Sequence, residues 1–376
     1  MPSEKAHLKV PDWLNNPIYY HNRGDSTFEG ESSTMGDFSG LDDIMTENPR
    51  VVRGFIGIFQ SWIDRFGVDG FRIDTARHVD PEFWRAFVPA ILAHARERGI
   101  PNFHIFGEVA LDDIDRLAVH TRVDQLPAVL DFAFRRAVLD TVAGGQGTDH
   151  LARWIAGDAL YEGGEAAARR LPTFTGNHDA GRFAHFVRAA FPNASDEEQL
   201  HRTMLANAML FGLRGVPTVY AGDEQGFVGH GGDQDAREDQ FGSRVASYND
   251  NRLLGTTATT ATARFDAAHP LYREIARLAA IRTATPALRR GRQQLRFAAE
   301  NPGLFAVSRF DPTTGREVLL AYNTSTAPLH AKVEVRTGSR TFSSLIGSCP
   351  AQAWAPGSVT IDLPPLGFAI CQAGAR

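Results

Sequence analysis

Between residues 47 and 290 short apolar strands alternate with amphipathic helices, and this rhythm constrains the chain more than any other feature. A strand, a covering helix and a second strand return the chain in the same direction, so the strands are parallel and the helices lie outside them. Glu47 opens the first helix, in which Val52, Phe55, Phe59, Trp62, Ile63 and Phe66 recur at three- and four-residue intervals as one apolar stripe, with Trp62 in the core. GVDGFRID (67–74) follows as a strand. A helix then starts at Asp80, an N-cap with Pro81 and Glu82 behind it, and runs to about Arg98. FHIFGEV (103–109), LPAVLDF (126–132), LPTFTGNHD (171–179) and VPTVYAGDE (216–224) read as further strands, with helical stretches such as 197–213 between them.

Beyond a helix at 269–283 the period changes to two. LFAVSRF, REVLLAYN, AKVEVRT, SVTIDLP and GFAICQA are short alternating runs separated by turns, the pattern of an antiparallel β-sandwich. Residues 1–46 have little periodicity and read as loop. The expected division is a loop-rich 1–46, an α/β body over 47–290 and a β domain over 291–376.

A chain of 376 residues, 43% of them apolar and 22% charged, can bury a sizeable core. Its net charge of −5 argues against a nucleic-acid partner, which demands a basic face. No run of eighteen apolar residues occurs, so no membrane span is expected. The N-terminal stretch MPSEKAHLKVPDWLNNP shows no apolar leader segment. The two cysteines, Cys349 and Cys371, are equally compatible with free thiols and with one disulfide, and leave a secreted and a cytoplasmic location both open.

Three strand ends carry acids in unusual settings. In GFRIDTARH, Arg72 and Asp74 are two apart on a strand and share a face. A guanidinium there keeps the carboxylate ionised, as a nucleophile requires. Glu108 ends FGEV between Phe106 and Val109, an apolar setting that suits a general acid. His178 and Asp179 end FTGNHD. In a (β/α)-barrel such ends converge on one mouth.

GFRIDTARH, GEV and TGNHD resemble three of the four signature regions of the α-amylase family, glycoside hydrolase family 13. GLDDI (40–44) and GVPTVYAGDEQG (215–226) resemble two flanking motifs of that family. The resemblance implies a (β/α)8 TIM-barrel type catalytic domain followed by the β domain, with residues 1–46 a remnant of an inserted domain. It makes Asp74 the nucleophile, Glu108 the acid and then base, and Asp179 a clamp on sugar hydroxyls. Arg72 and His178 would position Asp74 and the sugar, and Arg77 and His78 would touch the acceptor-side sugar. Asp43 and the backbone of His78 match positions that help hold calcium, whereas the chemistry itself needs no cofactor. Arg182 reads as a structural ion-pair partner, Tyr220 as core and Phe227 as cleft wall.

The family's first signature region and its first three strand–helix units have no counterpart, so a missing N-terminal barrel segment from a longer gene product is an expected partner. The implied function is a retaining hydrolase of α-linked glucans or malto-oligosaccharides, working through a covalent glucosyl–enzyme intermediate. A transglycosylase or isomerase of the same family, and a catalytically impaired glucan-binding fragment, are the alternatives.

Overall fold

The structure, a computed structural model, describes residues 7–374; the first six residues, where a leader would begin, and the last two lie outside the described residues. Its contacts group into two compact units: Met1–Leu130 with Leu160–Glu162, and Asp131–Ala159 with Gly163–Arg376.

In the first unit α1 spans Pro49–Phe66. It begins two residues after Glu47 because Asn48 is the cap: its side chain accepts from Arg50 N, and Pro49 needs no donor at the first position. The helix buries Ile63 of the stripe and Val51 beside it, leaving Val52 half-buried, and Phe55 and Phe59 meet Phe83 and Phe87 of α2 (Pro81–Glu97) edge-on at 6.0 and 5.0 Å. Trp62 departs from expectation. It is 50% exposed and leans on Phe66 at 4.8 Å, because the contact with α2 uses the flank carrying Phe55 and Phe59. Asp80 precedes α2 but makes no side-chain cap; its buried carboxylate instead accepts from Thr46 Oγ1 at 2.8 Å.

Strands β1 (Gly70–Ile73) and β2 (His104–Gly107) pair in parallel, and Gly107 bridges on to Val129, also in parallel. The segment 126–132 forms only that bridge, and Phe132 already belongs to α3 (Phe132–Val138), the first helix of the second unit.

In the second unit β3 is Pro172–Thr173 and β4 is Val216–Pro217, again a parallel pair. These expected strands shorten to two residues each. Pro127, Pro172 and Pro217 sit at the second position of the three short runs, and a proline cannot donate to a ladder. Helix α4 (Asp196–Gly212) starts at Ser195, whose hydroxyl accepts from Glu198 N, with three acids in its first turn. Helix α5 (Pro270–Ala284) packs against it.

The antiparallel part contains a five-stranded sheet in the order β5 (Arg292–Phe297), β6 (Leu304–Phe310), β7 (Glu317–Asn323), β11 (Phe368–Ala373), β9 (Phe342–Ile346). A two-stranded ribbon pairs β10 (Ser358–Leu363) with β8 (Leu329–Glu334). Strands β5 and β9 were not legible in the sequence. Their burial alternates too weakly for a period-two signal. By contrast β7 is buried along its whole length. One face joins the sandwich core through Leu319 and Ala321, and from the other Tyr322 donates to Ala208 O of α4. Cys349 and Cys371 form a disulfide, which resolves the open alternative.

Candidate active site

Glycine 107 ends β2 because a Cβ there would lie 2.8 Å from Ala76 Cβ and 2.9 Å from Leu126 Cδ1. That close approach sets Glu108 against the turn that follows β1. Glu108 N donates to Ile73 O at 2.7 Å, and its carbonyl accepts from Ala76 N at 2.9 Å. The carboxylate is buried and its Oε2 accepts from Thr75 N at 2.9 Å. Thr75 has φ +48°, a left-handed conformation that a β-branched side chain adopts at a cost. Trp84 Nε1 donates to Ala76 O at 3.1 Å and ties this turn to α2.

Arg72 joins the two acids. Its Nη1 bonds Asp74 and its Nη2 lies 3.6 Å from Glu108 Oε1. One planar guanidinium therefore reaches both carboxylates. Their surroundings differ: the Asp74 side chain is 66% exposed and that of Glu108 only 9%. Arg77 and His78 follow in the short 3-10 helix Ala76–His78. Arg77 Nη2 donates to Phe28 O at 2.9 Å. The His78 ring stands edge-on to Phe28 and Phe38, with Nδ1 beside Ser33, and its burial lowers its pKa.

Asp43, one of the two positions that the resemblance gives to calcium, is engaged with a histidine as it stands. Asp43 Oδ2 is 2.5 Å from His21 Nδ1, and His21 Nε2 is 3.0 Å from Glu47 Oε1. Burial depresses the His21 pKa, but its bonds to Asp43 and Glu47 outweigh this and raise it, so the ring between these carboxylates leans toward its protonated form. A calcium ion wants six to eight oxygens, and among the described residues no group of three or more His, Cys, Asp or Glu side chains is arranged to hold a metal.

His178 and Asp179 belong to the second unit. Asn177 and Gly181 exchange two backbone hydrogen bonds at 3.1 Å, and Asn177 Oδ1 accepts from the Asp179 and Ala180 amides. Gly181 has φ +88°, and a Cβ on it would meet Gly231 O at 2.6 Å. This tight turn presents Asp179, with His178 Nε2 3.1 Å from its Oδ2. Arg237 Nη2 bonds Asp179 Oδ1 at 3.0 Å and Asp233 Oδ1 at 2.8 Å. Arg237 and Asp233 were missed in the sequence; their i, i+4 spacing in GGDQDARE was the available signal.

Arg182 is fully buried, with Nε 2.6 Å from Glu238 Oε2 and Nη1 2.7 Å from Asp223 Oδ1. It is the structural ion-pair partner expected. Burial pushes Asp223 up to about 6 against the pull of Arg182. Tyr220 and Phe227 both depart from their expected settings. Tyr220 is half-buried, with the Arg182 guanidinium 4.2 Å over its ring, whereas Phe227 is 1% exposed and is core.

Short parallel strand pairs with helices between them, a guanidinium-bridged carboxylate pair at the ends of two of them, and an antiparallel β domain behind fit the (β/α)-barrel class. The family model described as alpha amylase, catalytic domain, matches residues 5–291, and the chain belongs to the alpha-amylase family. It is 43% identical over 377 residues to the alpha-amylase of Streptomyces lividans, an alignment covering 100% of this chain and 41% of that protein. The chain thus spans less than half the length of that relative. Two solved structures share its fold. The alpha-amylase of Geobacillus thermoleovorans, complexed with acarbose, gives a TM-score of 0.77 at 21% identity over 97% of this chain and 74% of that one. An Anoxybacillus alpha-amylase gives 0.76 at 23% identity over 97% and 73%.

Proposed function

We propose that the protein is a retaining α-glycoside hydrolase acting on α-linked glucans or malto-oligosaccharides. The observation that carries this reading is the Arg72 bridge between an exposed Asp74 and a buried Glu108. Retention needs two carboxyls about 5–5.5 Å apart, close enough for the second to attack carbon directly, whereas inversion needs room for a water. A pair spanned by one guanidinium suits the first case. The contrast in exposure separates the two roles: the enclosed Glu108 is the acid and the solvent-facing Asp74 the nucleophile.

In this mechanism Glu108 protonates the glycosidic oxygen as Asp74 attacks the anomeric carbon, giving a glucosyl ester and a released chain end. Glu108, now ionised, takes a proton from water. The hydroxide attacks the ester and frees Asp74. Arg72 orients Asp74 throughout. Asp179, held by Arg237 and His178, bonds sugar hydroxyls, and Arg77 and His78 meet the acceptor-side sugar. No cofactor takes part. The disulfide suits an oxidising compartment, and we place the protein outside the cytoplasm on that ground.

Incubation with maltoheptaose, followed by chromatography and by proton NMR of the new anomers, tests this. Shorter α-anomeric products are expected. Chains longer than the substrate would move the protein to the transglycosylases, β-anomers would remove the retaining mechanism, and binding without turnover would leave a glucan-binding protein.

A further inference from the structure

Trp354 is the most exposed aromatic side chain but one among the described residues, at 69% of its full area, and the proposed catalysis does not use it. Exposing an indole forgoes the stabilisation that its burial would contribute, so its presentation calls for an account. It stands on a fastened loop. Trp354 N donates to Ser358 O at 2.9 Å, Ala353 N donates to Arg340 O at 2.8 Å, and the Cys349–Cys371 disulfide anchors the same loop to β11. The indole is thereby held ready, with little conformational freedom left to lose on binding.

Its surroundings select a ligand. Lys332 Nζ lies 4.2 Å over the ring, which places Trp354 on the outward face of the β8–β10 ribbon. Cross-strand partners share a face, and the register pairs Lys332 with Thr360 and His330 with Asp362. The inward face of the same ribbon carries Val333, Val359, Ile361 and Leu363 in the sandwich core. Outside, then, is one large aromatic beside an ammonium, a hydroxyl and an imidazole–carboxylate pair whose ring nitrogen is 2.6 Å from Asp362 Oδ1. Lys332 and Asp362 balance in charge, and Glu334 on the same face is paired with Arg296 at 3.0 Å, so neither a polyanion nor a polycation is favoured. A neutral ring with one apolar C–H face and a rim of hydroxyls matches both halves of this surface.

We propose that Trp354, with Lys332 and Thr360, forms a second glucan-binding surface on the β domain, which stacks a glucose unit on the indole and bonds its hydroxyls at the rim. This rests on the glucan-hydrolase reading. Such a surface would hold the enzyme on an insoluble or branched polymer while contributing nothing to the cleavage of short soluble chains.

The test compares the parent with Trp354→Ala and Trp354→Tyr by depletion on insoluble starch granules, by titration with β-cyclodextrin, and by kcat/KM on maltoheptaose. Trp354→Ala is expected to weaken granule binding about ten-fold and to abolish the fluorescence change on β-cyclodextrin, while Trp354→Tyr keeps most of both. On maltoheptaose both variants should stay within about two-fold of the parent. Because the side chain is exposed, melting temperatures should not change; if Trp354→Ala does melt early, Thr360→Val and Trp354→Tyr carry the comparison. Granule and cyclodextrin binding unaltered in Trp354→Ala, in a protein that still cleaves maltoheptaose, overturns this surface and leaves the catalytic reading standing. A parent that neither cleaves maltoheptaose nor binds granules overturns both.

Discussion

Thr75 concentrates the local cost of the candidate site. Its φ of +48° is one that a threonine adopts only when its surroundings enforce it, and here the reward is an amide aimed at Glu108 Oε2. The carboxylate is thus oriented by backbone, and the neighbouring Asp74 by the Arg72 guanidinium, so the two acids are positioned by different means. Replacing Asp74 by Asn keeps the shape and removes the attacking oxygen. We expect kcat on maltoheptaose to fall by at least about 1000-fold, which is about 4 kcal/mol of barrier, with binding of the oligosaccharide little changed. Stopped-assay rates together with calorimetric titration decide this; a variant retaining a tenth of the parent rate would remove Asp74 from the nucleophile role.

At the scale of elements, helix ends are set by side chains that a pattern search reads unevenly. Asn48 and Ser195 cap as their chemistry predicts, but Asp80 does not, having been drawn into the core by Thr46. His269 is a cap of another kind. Its buried ring accepts from Leu271 N through Nδ1 at 3.2 Å and faces Leu254 O through Nε2 at 2.9 Å, an arrangement that requires the neutral form. Burial, the largest influence, lowers its pKa below the ordinary 6.5. The unfolded state therefore binds the proton more readily, and this contribution to stability is present above about pH 6.5 and is lost as pH falls through the folded-state value. In His269→Asn, which still caps but does not titrate, denaturant melts should show a shallower loss of stability below pH 6.5 than the parent shows; identical pH slopes would refute the assignment.

On the whole-molecule scale the disulfide is the covalent feature that the chemistry does not need. It closes a loop of 22 residues between β9 and the last strand, and a loop of this size stabilises by about 3 kcal/mol in the chain-entropy view. Cys349→Ser with Cys371→Ser should lower the unfolding free energy read from denaturant melts by about 3 kcal/mol. Initial rates on maltoheptaose measured well below the transition should not change, since neither sulfur touches the proposed catalytic groups. A loss of rate without a loss of stability would show that the loop acts on catalysis.

The alternation of strands and helices, the change of period near residue 291, and the strings around Asp74, Glu108 and Asp179 were legible in the sequence, because each depends on local periodicity or on residues adjacent in the chain, whereas β5 and β9 were not. Arg72 and Asp74 share a strand face by spacing alone. What lay beyond the sequence depends on partners distant along the chain. That Trp62 is exposed follows from which flank of α1 meets α2, and that Phe227 is core while Tyr220 is not follows from the buried Arg182 and its two carboxylates. The diversion of Asp43 to His21, 22 residues away, and the pairing of Asp179 with Arg237, 58 residues away, are likewise invisible to a local reading. Side-chain spacing determines which face a residue occupies, but only the packing of separate segments decides what stands opposite that face.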